Sequence, residues 1–228
     1  MTLKLYKTDF SPPARAAMMA CEIFKVPREL VELNLSKMEH LRPEFVQKNP
    51  LHTIPVLEDG DFILHDSHAI LIYLADTYGK TDDFYPKDLK RRALVNQKLF
   101  FDTAVLLPRL QRIPVMFFNQ RKPAEKLLRD IVEAYAFTEE FLCRNKYIAA
   151  DHITIADLSV ISNITTAIHI VPLDAKKFPK THAWMKHMES LPYVKKFNES
   201  GAGTSVPIDL TPLYVQQYSL VQKLFGLY

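Results

Sequence analysis

The segment TIPVLEDGDFIL, residues 53–64, consists of two short apolar runs separated by an acidic turn that contains a glycine. This pattern predicts a β-hairpin, because turn residues between two such runs reverse the direction of the chain. Asp66 and Ser67 follow directly and form a helix-start signal, and the helix continues to a stop at Gly79. We therefore expect the first part of the chain to end in the order β-β-α.

The residues before this hairpin predict a β-α-β unit. A short strand begins at residues 3–6, and Ser11-Pro12-Pro13 opens a helix, since proline suits the first helical turn. That helix, over residues 14–24, is apolar on most faces and should be largely buried. Residues 31–35 alternate as a second strand, and residues 36–50 are polar and predict a loop.

The rest of the chain predicts helices only. Strand signals vanish, apolar side chains recur at helical spacing, and Thr154 and Asp157 form a capping box at a helix start. We expect an α/β domain over residues 1–80, a polar linker over residues 81–88, and an all-helical domain over residues 89–228.

The composition is that of an ordinary globular protein. The chain has 228 residues, of which 48% are hydrophobic, and its formal net charge of +3 is too small to imply a nucleic-acid or membrane partner. The longest clean apolar run, residues 69–75, is too short to span a bilayer, and the N-terminus lacks the apolar region of a signal peptide. Cys21 and Cys143 lie in helical patterns without metal or redox spacing, so we expect core residues. These features predict a cytoplasmic protein without a metal site.

Ser11 is the first candidate for chemistry. It stands between a first strand and a first helix, where a thioredoxin-like fold would place a Cys-x-x-Cys motif, so disulfide exchange is excluded at this position. Pro12 and Pro13 carry no N–H groups, which removes donors that a helix start normally offers to an anion. A hydroxyl donor then becomes the natural group to hold an anion such as a thiolate. The alternative, which spacing alone favours, is that Ser11 only caps the helix.

Two further segments offer groups for a small peptide ligand. If the peptide bond before Pro55 is cis, Ile54 can present its N–H and C=O to an extended peptide, although a trans bond is the commoner case. At the helix start, Ser67 and free N–H groups suit a carboxylate, and Asp66 suits an ammonium group. An ordinary helix cap is the alternative there. His40 and His52 lie in loops that could border the same cleft, although most loop histidines are plain surface residues.

Taken together, these segments resemble the cytosolic glutathione transferases, the insect epsilon class first and the delta class second. The matching motifs occur in the family's order and at its spacings, from residue 3 to about residue 200. They are Ser11-Pro12-Pro13-Ala14-Arg15, Asn49-Pro50-Leu51-His52-Thr53-Ile54-Pro55-Val56-Leu57, Asp66-Ser67-His68-Ala69-Ile70, Tyr85-Pro86-Lys87-Asp88 and Thr154-Ile155-Ala156-Asp157-Leu158-Ser159.

The resemblance implies a fold and a site. It implies a thioredoxin-like first domain that binds glutathione and an all-helical second domain that helps to bind an electrophile. Ser11 would donate a hydrogen bond to the glutathione sulfur, Ile54 before a cis Pro55 would pair with the cysteinyl backbone, and Asp66 and Ser67 would hold the γ-glutamyl amine and carboxylate. His40 and His52 would lie near the glycine end. The full implied glutathione-binding set is His40, His52, Thr53, Ile54, Pro55, Asp66, Ser67, His68 and Arg112.

The resemblance also implies an apolar pocket for the electrophile and a homodimer. The family-position candidates for the pocket wall are Phe10, Leu35, Leu106, Leu110, Pro114, Val115, Phe117 and Phe118. Two departures stand out. The family's arginine in the first long helix of the second domain aligns with Gln111, so glutathione binds more weakly or Arg112 substitutes. The apolar tail over residues 206–228 has no counterpart in the family pattern.

The implied function is conjugation of the thiolate of reduced glutathione, the co-substrate, to hydrophobic electrophiles, in detoxification or endogenous metabolism. One alternative on the same scaffold is a non-catalytic carrier of hydrophobic ligands, which the two departures motivate. Another is a glutathione-dependent peroxidase, isomerase or dehydrochlorinase that uses the same thiolate.

Overall fold

A four-stranded mixed sheet organises the first part of the chain in the computed structural model, which describes residues 2–111 and 125–201. The strands are β1 (Leu3–Lys7), β2 (Arg28–Glu32), β3 (Val56–Asp59) and β4 (Phe62–His65), in the spatial order β2-β1-β3-β4. β1 and β2 are parallel, whereas β1–β3 and β3–β4 are antiparallel. The predicted hairpin is therefore confirmed.

Three helices belong to this part of the chain: α1 (Pro12–Ile23), α2 (Pro43–Val46) and α3 (Ser67–Tyr78). The residues from Ala14 to Cys21 are all buried, because α1 lies between the first part of the chain and the helices of the second. Its predicted burial is confirmed. α3 ends at Gly79, the predicted stop.

The predicted second strand was wrong by three residues at each end, and the predicted loop after it contains structure. β2 ends at Glu32 because the side chain of Asn34 accepts a hydrogen bond from the Lys37 N–H (3.0 Å) and starts a 3₁₀ turn over Leu35–Lys37. Asparagine side chains that bond nearby backbone groups compete with strand pairing in this way. A second 3₁₀ turn and α2 follow before residue 50.

The second part of the chain contains no strand among its described residues. Its elements are α4 (Leu89–Phe101) with a π-helical turn over Asp102–Leu106, α5 (Glu125–Arg144), α6 (Ile155–Ala167), α7 (Pro179–Ser190) and α8 (Pro192–Gly201). The predicted class, an α/β thioredoxin-like part followed by an all-helical part, is confirmed. The domain limits at residues 80 and 89 stay a prediction, and the tail over residues 206–228 lies outside the described residues.

Helix α6 connects the two parts, because it is buried on nearly all faces and packs against α1, α3 and α4. The capping box at its start is confirmed: the N–H and hydroxyl of Thr154 both donate to the Asp157 carboxylate, at 2.9 and 3.0 Å. Because α6 packs against elements of both parts, one core cluster includes Leu5 of the sheet and Trp184 of α7.

The two cysteines differ in their surroundings. Cys21 is buried in α1, as predicted, but Cys143 is exposed on α5, so that prediction was wrong. Successive helical residues point about 100° apart, and Leu142 takes the buried position at this end of α5. Within the described part of the chain, no helix combines the length and the apolar character that a bilayer crossing needs.

Candidate functional site

The register of the sheet brings three of the predicted site segments to one edge. Val56, the first residue of β3, pairs with Tyr6 on one side and with His65 on the other. Neighbouring strands lie about 5 Å apart. The segment that follows β1, the segment that precedes β3 and the segment that follows β4 therefore meet at the same end of the sheet. We call this end the site edge; it carries residues 8–11, 52–55 and 66–68.

Ser11 caps α1 at the site edge. Its backbone is extended, and its hydroxyl oxygen accepts a hydrogen bond from the Ala14 N–H at 3.3 Å. Pro12 and Pro13 fill the first helical turn without supplying N–H groups. Because Ser11 is the acceptor in the capping bond, that bond does not use the hydroxyl hydrogen, which can still be donated to an anion. Capping and anion binding are thus compatible roles of one side chain.

The Ile54–Pro55 peptide bond at the site edge is cis. This geometry agrees with what the resemblance implies for these two residues. Pro55 is buried, while Ile54 is half-buried beside it. The backbone of Ile54 therefore lies directly before the strand that pairs with β1.

Asp66 and Ser67 begin α3 at the site edge. Asp66 has a positive φ of 73°, which is uncommon for a residue other than glycine, and its Oδ1 accepts hydrogen bonds from the N–H groups of His68 (2.9 Å) and Ala69 (3.1 Å). The side chain of His68 and these N–H groups lower the pKa of Asp66, although burial opposes them. With 54% of its side chain exposed, Asp66 is an accessible anion. Ser67 is buried beside it.

His68 links the site edge to the helical part. Its Nδ1 lies 3.4 Å from Asp66 Oδ1, and its Nε2 lies 2.9 Å from Oδ2 of Asp102 in the π-helical turn after α4. Burial by itself would lower the pKa of His68, but the hydrogen bond with Asp102 and the nearby Asp66 carboxylate outweigh it and raise the pKa to about 9. At neutral pH this histidine is therefore a cation between two carboxylates.

Asp102 is almost completely buried and receives further hydrogen bonds from α6. The hydroxyl of Ser159 donates to Asp102 Oδ2 at 2.6 Å, and the amide of Asn163 reaches both carboxylate oxygens at 2.9 and 3.0 Å. The polar cluster, defined as His68, Asp102, Ser159 and Asn163, thus fixes the start of α3 against α4 and α6. Buried carboxylates are stable when they are hydrogen-bonded in this way.

The loop before β3 is held by Asn49, which has no exposed surface. Its amide donates to the C=O and the Oγ1 of Thr53, at 2.9 and 3.0 Å, and its Oδ1 accepts from the Leu51 N–H at 3.0 Å.

His52 has a positive φ of 46°, and Thr53 is exposed. His40 is buried, and burial, with a smaller contribution from His52, lowers its pKa to about 4, so it is neutral at pH 7.

Comparison with known proteins decides the family. A model of the glutathione S-transferase N-terminal domain matches residues 5–82, and a model of the glutathione S-transferase C-terminal domain matches residues 110–201. The chain belongs to the glutathione S-transferase family. The members to which it is similar are named as transferases, and the family is one of enzymes that transfer glutathione.

Several proteins that are similar to the chain come from insects. It is 41% identical over 205 residues to glutathione S-transferase 1 of Manduca sexta, covering 88% of this chain and 94% of the relative. An epsilon-class glutathione S-transferase from the housefly, Musca domestica, is 43% identical, with a TM-score of 0.85 and coverage of 88% and 94%. A glutathione transferase homologue of Drosophila mojavensis, solved with bound glutathione, is 40% identical with the same TM-score, over 88% and 93%.

Four of the predicted electrophile-pocket residues lie in the described part of the chain, in two different environments. Phe10 and Leu35 are half-buried, whereas Leu106 and Leu110 are buried in the main core cluster. Arg112, Pro114, Val115, Phe117 and Phe118 lie outside the described residues. Gln111, at the family's arginine position, is exposed. In residues 2–111 and 125–201, no three or more His, Cys, Asp or Glu side chains come together to hold a metal ion.

Sequence reasoning missed the role of the polar cluster in this glutathione S-transferase. Asp102 follows Phe100 and Phe101 and precedes an apolar run, so a lone acid in an apolar stretch was the available signal. Charged residues in such stretches are rarely buried without a partner. Ser159 and Asn163 are four residues apart and share one face of α6, but nothing in the sequence connects them to residue 102.

Proposed function

We propose that this chain conjugates reduced glutathione to hydrophobic electrophiles, with the Ser11 hydroxyl stabilising the glutathione thiolate. The observation that carries the proposal is the meeting of Ser11, the Ile54–Pro55 bond and Asp66–Ser67 at one edge of the sheet. A tripeptide thiol needs a partner for its sulfur, a partner for its backbone and a partner for its charged head. The site edge offers one segment for each need.

The chemistry follows from the pKa of a thiol. A free thiol ionises at about pH 8.5, so it is mostly protonated at neutral pH, and the thiolate is the nucleophile. A hydrogen bond from a hydroxyl to a thiolate is charge-assisted and favours the ionised form. The thiolate then attacks an electrophilic carbon and a C–S bond forms. In a substitution the leaving group departs with its bonding electrons; in an addition to an activated double bond the π bond breaks and the neighbouring carbon takes a proton from solvent. Ser11 stabilises the anion throughout and forms no covalent bond.

In the proposed complex, further groups hold the tripeptide along the site edge. The N–H and C=O of Ile54 pair with the cysteinyl backbone, as extended peptides pair with an exposed sheet edge. The ionised carboxylate of Asp66 binds the γ-glutamyl ammonium, and Ser67 binds the carboxylate, since the N–H groups of His68 and Ala69 already bond Asp66. His40, His52 and Thr53 lie near the glycine end, where the neutral imidazole of His40 can act as a hydrogen-bonding group.

The electrophile binds beside the sulfur. Of the described pocket candidates, Phe10 and Leu35 keep some exposed apolar surface, and Phe10 directly precedes Ser11. Pockets for hydrophobic ligands are lined by such aromatic and aliphatic side chains. This supports a bulky hydrophobic electrophile as the second substrate.

The functional unit we propose is a cytoplasmic homodimer. Leu94 and Phe100 on α4 are 50% and 68% exposed, and Phe62 and Ile63 on β4 are exposed as well. Large exposed apolar side chains are a common feature of protein–protein interfaces. A second copy of the chain is the partner that we expect to cover them.

The proposal is tested by comparing the turnover of three proteins: wild type, Ser11→Ala and Ser36→Ala. Ser36 is an exposed serine of the same part of the chain and serves as the matched control. With a generic aromatic electrophile, we expect Ser11→Ala to lose about tenfold or more in kcat/KM, because a hydrogen bond to a charged group is worth about 1.5–3 kcal/mol. Ser36→Ala should keep the wild-type rate.

Two outcomes would contradict the proposal. Wild-type protein that binds immobilised glutathione without turning over any electrophile in a broad panel would favour the carrier of hydrophobic ligands. Wild type and Ser11→Ala with equal rates would remove Ser11 from the mechanism. The wild type could instead act as a peroxidase, isomerase or dehydrochlorinase and lose that activity in Ser11→Ala. The second substrate would then differ from the proposed one, and the role of the thiolate would hold.

A further inference from the structure

Arg15, in the first turn of α1, is a charged side chain without exposed surface. Burial lowers its pKa to about 10, so its guanidinium remains charged at neutral pH. All the hydrogen bonds found for it in the described residues end on neutral oxygens, and none of the salt bridges in that part of the chain includes it. A buried charge is costly unless its hydrogen-bonding groups are satisfied, so the position of these partners is informative.

One side of the guanidinium holds the backbone that leads to Ser11. Nη1 of Arg15 donates to the C=O groups of Asp9 and Phe10, at 3.2 and 3.4 Å. The backbone N–H of Arg15 donates to the C=O of Ser11 at 3.0 Å. The peptide groups on both sides of the Ser11 side chain are therefore bonded to the same residue.

The other side of the guanidinium is fixed to the helical part. Nη2 donates to the C=O of Ser162 (2.8 Å) and to the hydroxyl of Thr166 (2.6 Å) on α6, and Nε donates to the Oδ1 of Asn198 (3.0 Å) on α8. Asn198 is itself held, because its amide donates to the Thr165 hydroxyl at 3.1 Å. The planar fork of an arginine suits such a three-way contact, which a lysine cannot reproduce.

We propose that Arg15 is a positioning residue for the Ser11 hydroxyl, because it locks the backbone before Ser11 to α6 and α8. This inference rests on the proposed function of Ser11. The hydrogen bond from a hydroxyl to a sulfur anion depends on direction, and a misplacement of about 1 Å in an active site can cost about 100-fold in rate. The first part of the chain bears the hydroxyl, while the rigid frame that orients it belongs to the helices of the second part.

A double-mutant cycle tests the inference in the full-length protein. Four proteins are compared: wild type, Ser11→Ala, Arg15→Lys and the double variant. The readouts are the pH profile of kcat/KM with a generic aromatic electrophile and the ultraviolet absorbance of the bound thiolate. Arg15→Lys keeps the charge and loses the fork. We expect it to move the ionisation of bound glutathione to higher pH and to lower kcat/KM at pH 6.5 by about tenfold, since one pKa unit is a factor of ten.

The effect should depend on the Ser11 hydroxyl. In the Ser11→Ala background, Arg15→Lys should change the ionisation and kcat/KM by less than about twofold, because coupled residues are not additive. An equal loss in both backgrounds would overturn the inference, since Arg15 would then act on the fold or directly on the sulfur. An unchanged pH profile in Arg15→Lys would overturn it as well. If Ser11→Ala alone leaves the thiol ionisation unchanged, the proposed function fails separately.

Two further variants protect the test against loss of folding. Arg28→Lys is the matched control, because Arg28 also bonds backbone C=O groups, those of Cys21 and Val26, away from the site edge. It should leave the thiol ionisation unchanged. Thr166→Val removes one partner of Arg15 and leaves the guanidinium in place. We expect the pKa of bound glutathione to rise here as well, so that the thiolate fraction at neutral pH falls by about two- to threefold. If Arg15→Lys does not fold, an unchanged pKa of bound glutathione in Thr166→Val would contradict the inference.

Discussion

His68 and Asp102 show how single residues join the site edge to the helical part. The histidine shares its two ring nitrogens between Asp66, which caps α3, and Asp102, which α6 holds through Ser159 and Asn163. Groups outside the first part of the chain therefore hold the histidine that lies beside Asp66. The charge of His68 maintains this link.

At this scale the pH dependence of stability is a direct prediction. The pKa of His68 in the folded protein, about 9, is above its unfolded value of about 6.5. The histidine therefore contributes stability that is fully present below pH 6.5 and is lost as the pH rises towards 9. We expect urea unfolding of the wild type to show a loss on the order of 2 kcal/mol over this range. His68→Gln should remove most of that dependence.

His40 affects the stability at acidic rather than alkaline pH and serves as the internal comparison. Its folded pKa of about 4 is below the unfolded value, so protonation favours the unfolded chain as the pH falls from 6.5 towards 4. His40→Gln should flatten the acidic limb and leave the alkaline limb unchanged. An alkaline limb that is equally steep in wild type and His68→Gln would contradict the assigned charge of His68.

At the scale of elements, Asp157 of the α6 capping box and Asp88, the N-cap of α4, are two helix-start aspartates that differ in their surroundings. Asp157 has no exposed surface and accepts hydrogen bonds from Thr154, from the Ile148 N–H and from Nε1 of Trp184, all at 2.9–3.0 Å. Asp88 caps α4 through one bond to the Arg91 N–H (2.9 Å) at the surface. Asp157 thus anchors three segments, those of Ile148, Thr154 and Trp184, whereas Asp88 holds only the first turn of its own helix.

We predict that alanine substitutions at these two caps differ strongly in cost. Asp157→Ala leaves several buried donors unsatisfied and should lower the free energy of unfolding by about 3–5 kcal/mol. Asp88→Ala should cost about 1 kcal/mol, the usual value of an exposed N-cap. Urea unfolding followed by circular dichroism measures both. Equal costs would contradict the anchoring role of Asp157.

Local sequence signals predicted most elements, and the exceptions have physical causes. The hairpin turn, the helix starts at Ser11 and Asp66 and the capping box at Thr154 act within a few residues, so they can be recognised in the sequence. The end of β2 depended on the side chain of Asn34 and on pairing with β1, which the alternation of residues 31–35 did not reveal. Non-local pairing decides such boundaries.

For the whole molecule, the two parts share one core. α1 packs against α6 and α8 as well as against α3, and the main core cluster includes residues from the sheet and from the helices. The polar cluster and Arg15 add hydrogen bonds across the same boundary. The family's two domain models therefore describe sequence units that share the main core here, beside a small apolar cluster of the first part that is formed by Leu33, Phe45 and Val56.

We predict that both parts unfold in one transition. Cys21, buried in α1 with a pKa raised to about 12 by burial, reports the first part through its reaction with a thiol reagent, and Trp184 in α7 reports the second through its fluorescence. In a Cys143→Ser background, which removes the exposed thiol, the two urea midpoints should coincide. Reactivity of Cys21 at a lower urea concentration than the Trp184 transition would show that the parts unfold separately.

The candidate site could be predicted only in part for a related reason. Ser11, Pro55 and Asp66 lie in short motifs, and a resemblance to a family is visible in them. Asp102, Ser159, Asn163 and the partners of Arg15 on α6 and α8 are 34 to 183 residues away from the groups that they hold. Their roles depend on the packing of α1, α4, α6 and α8, which no single motif encodes.

The most direct test of the account is the ionisation of glutathione bound to the protein. The ultraviolet absorbance of the thiolate, followed against pH, measures it in the wild type and in Ser11→Ala. We predict that the wild type binds mainly thiolate at neutral pH and that Ser11→Ala lowers the thiolate fraction by about tenfold, since a hydrogen bond to a charged group is worth about 1.5–3 kcal/mol. Titration curves that coincide for the two proteins would contradict the assignment of the hydroxyl.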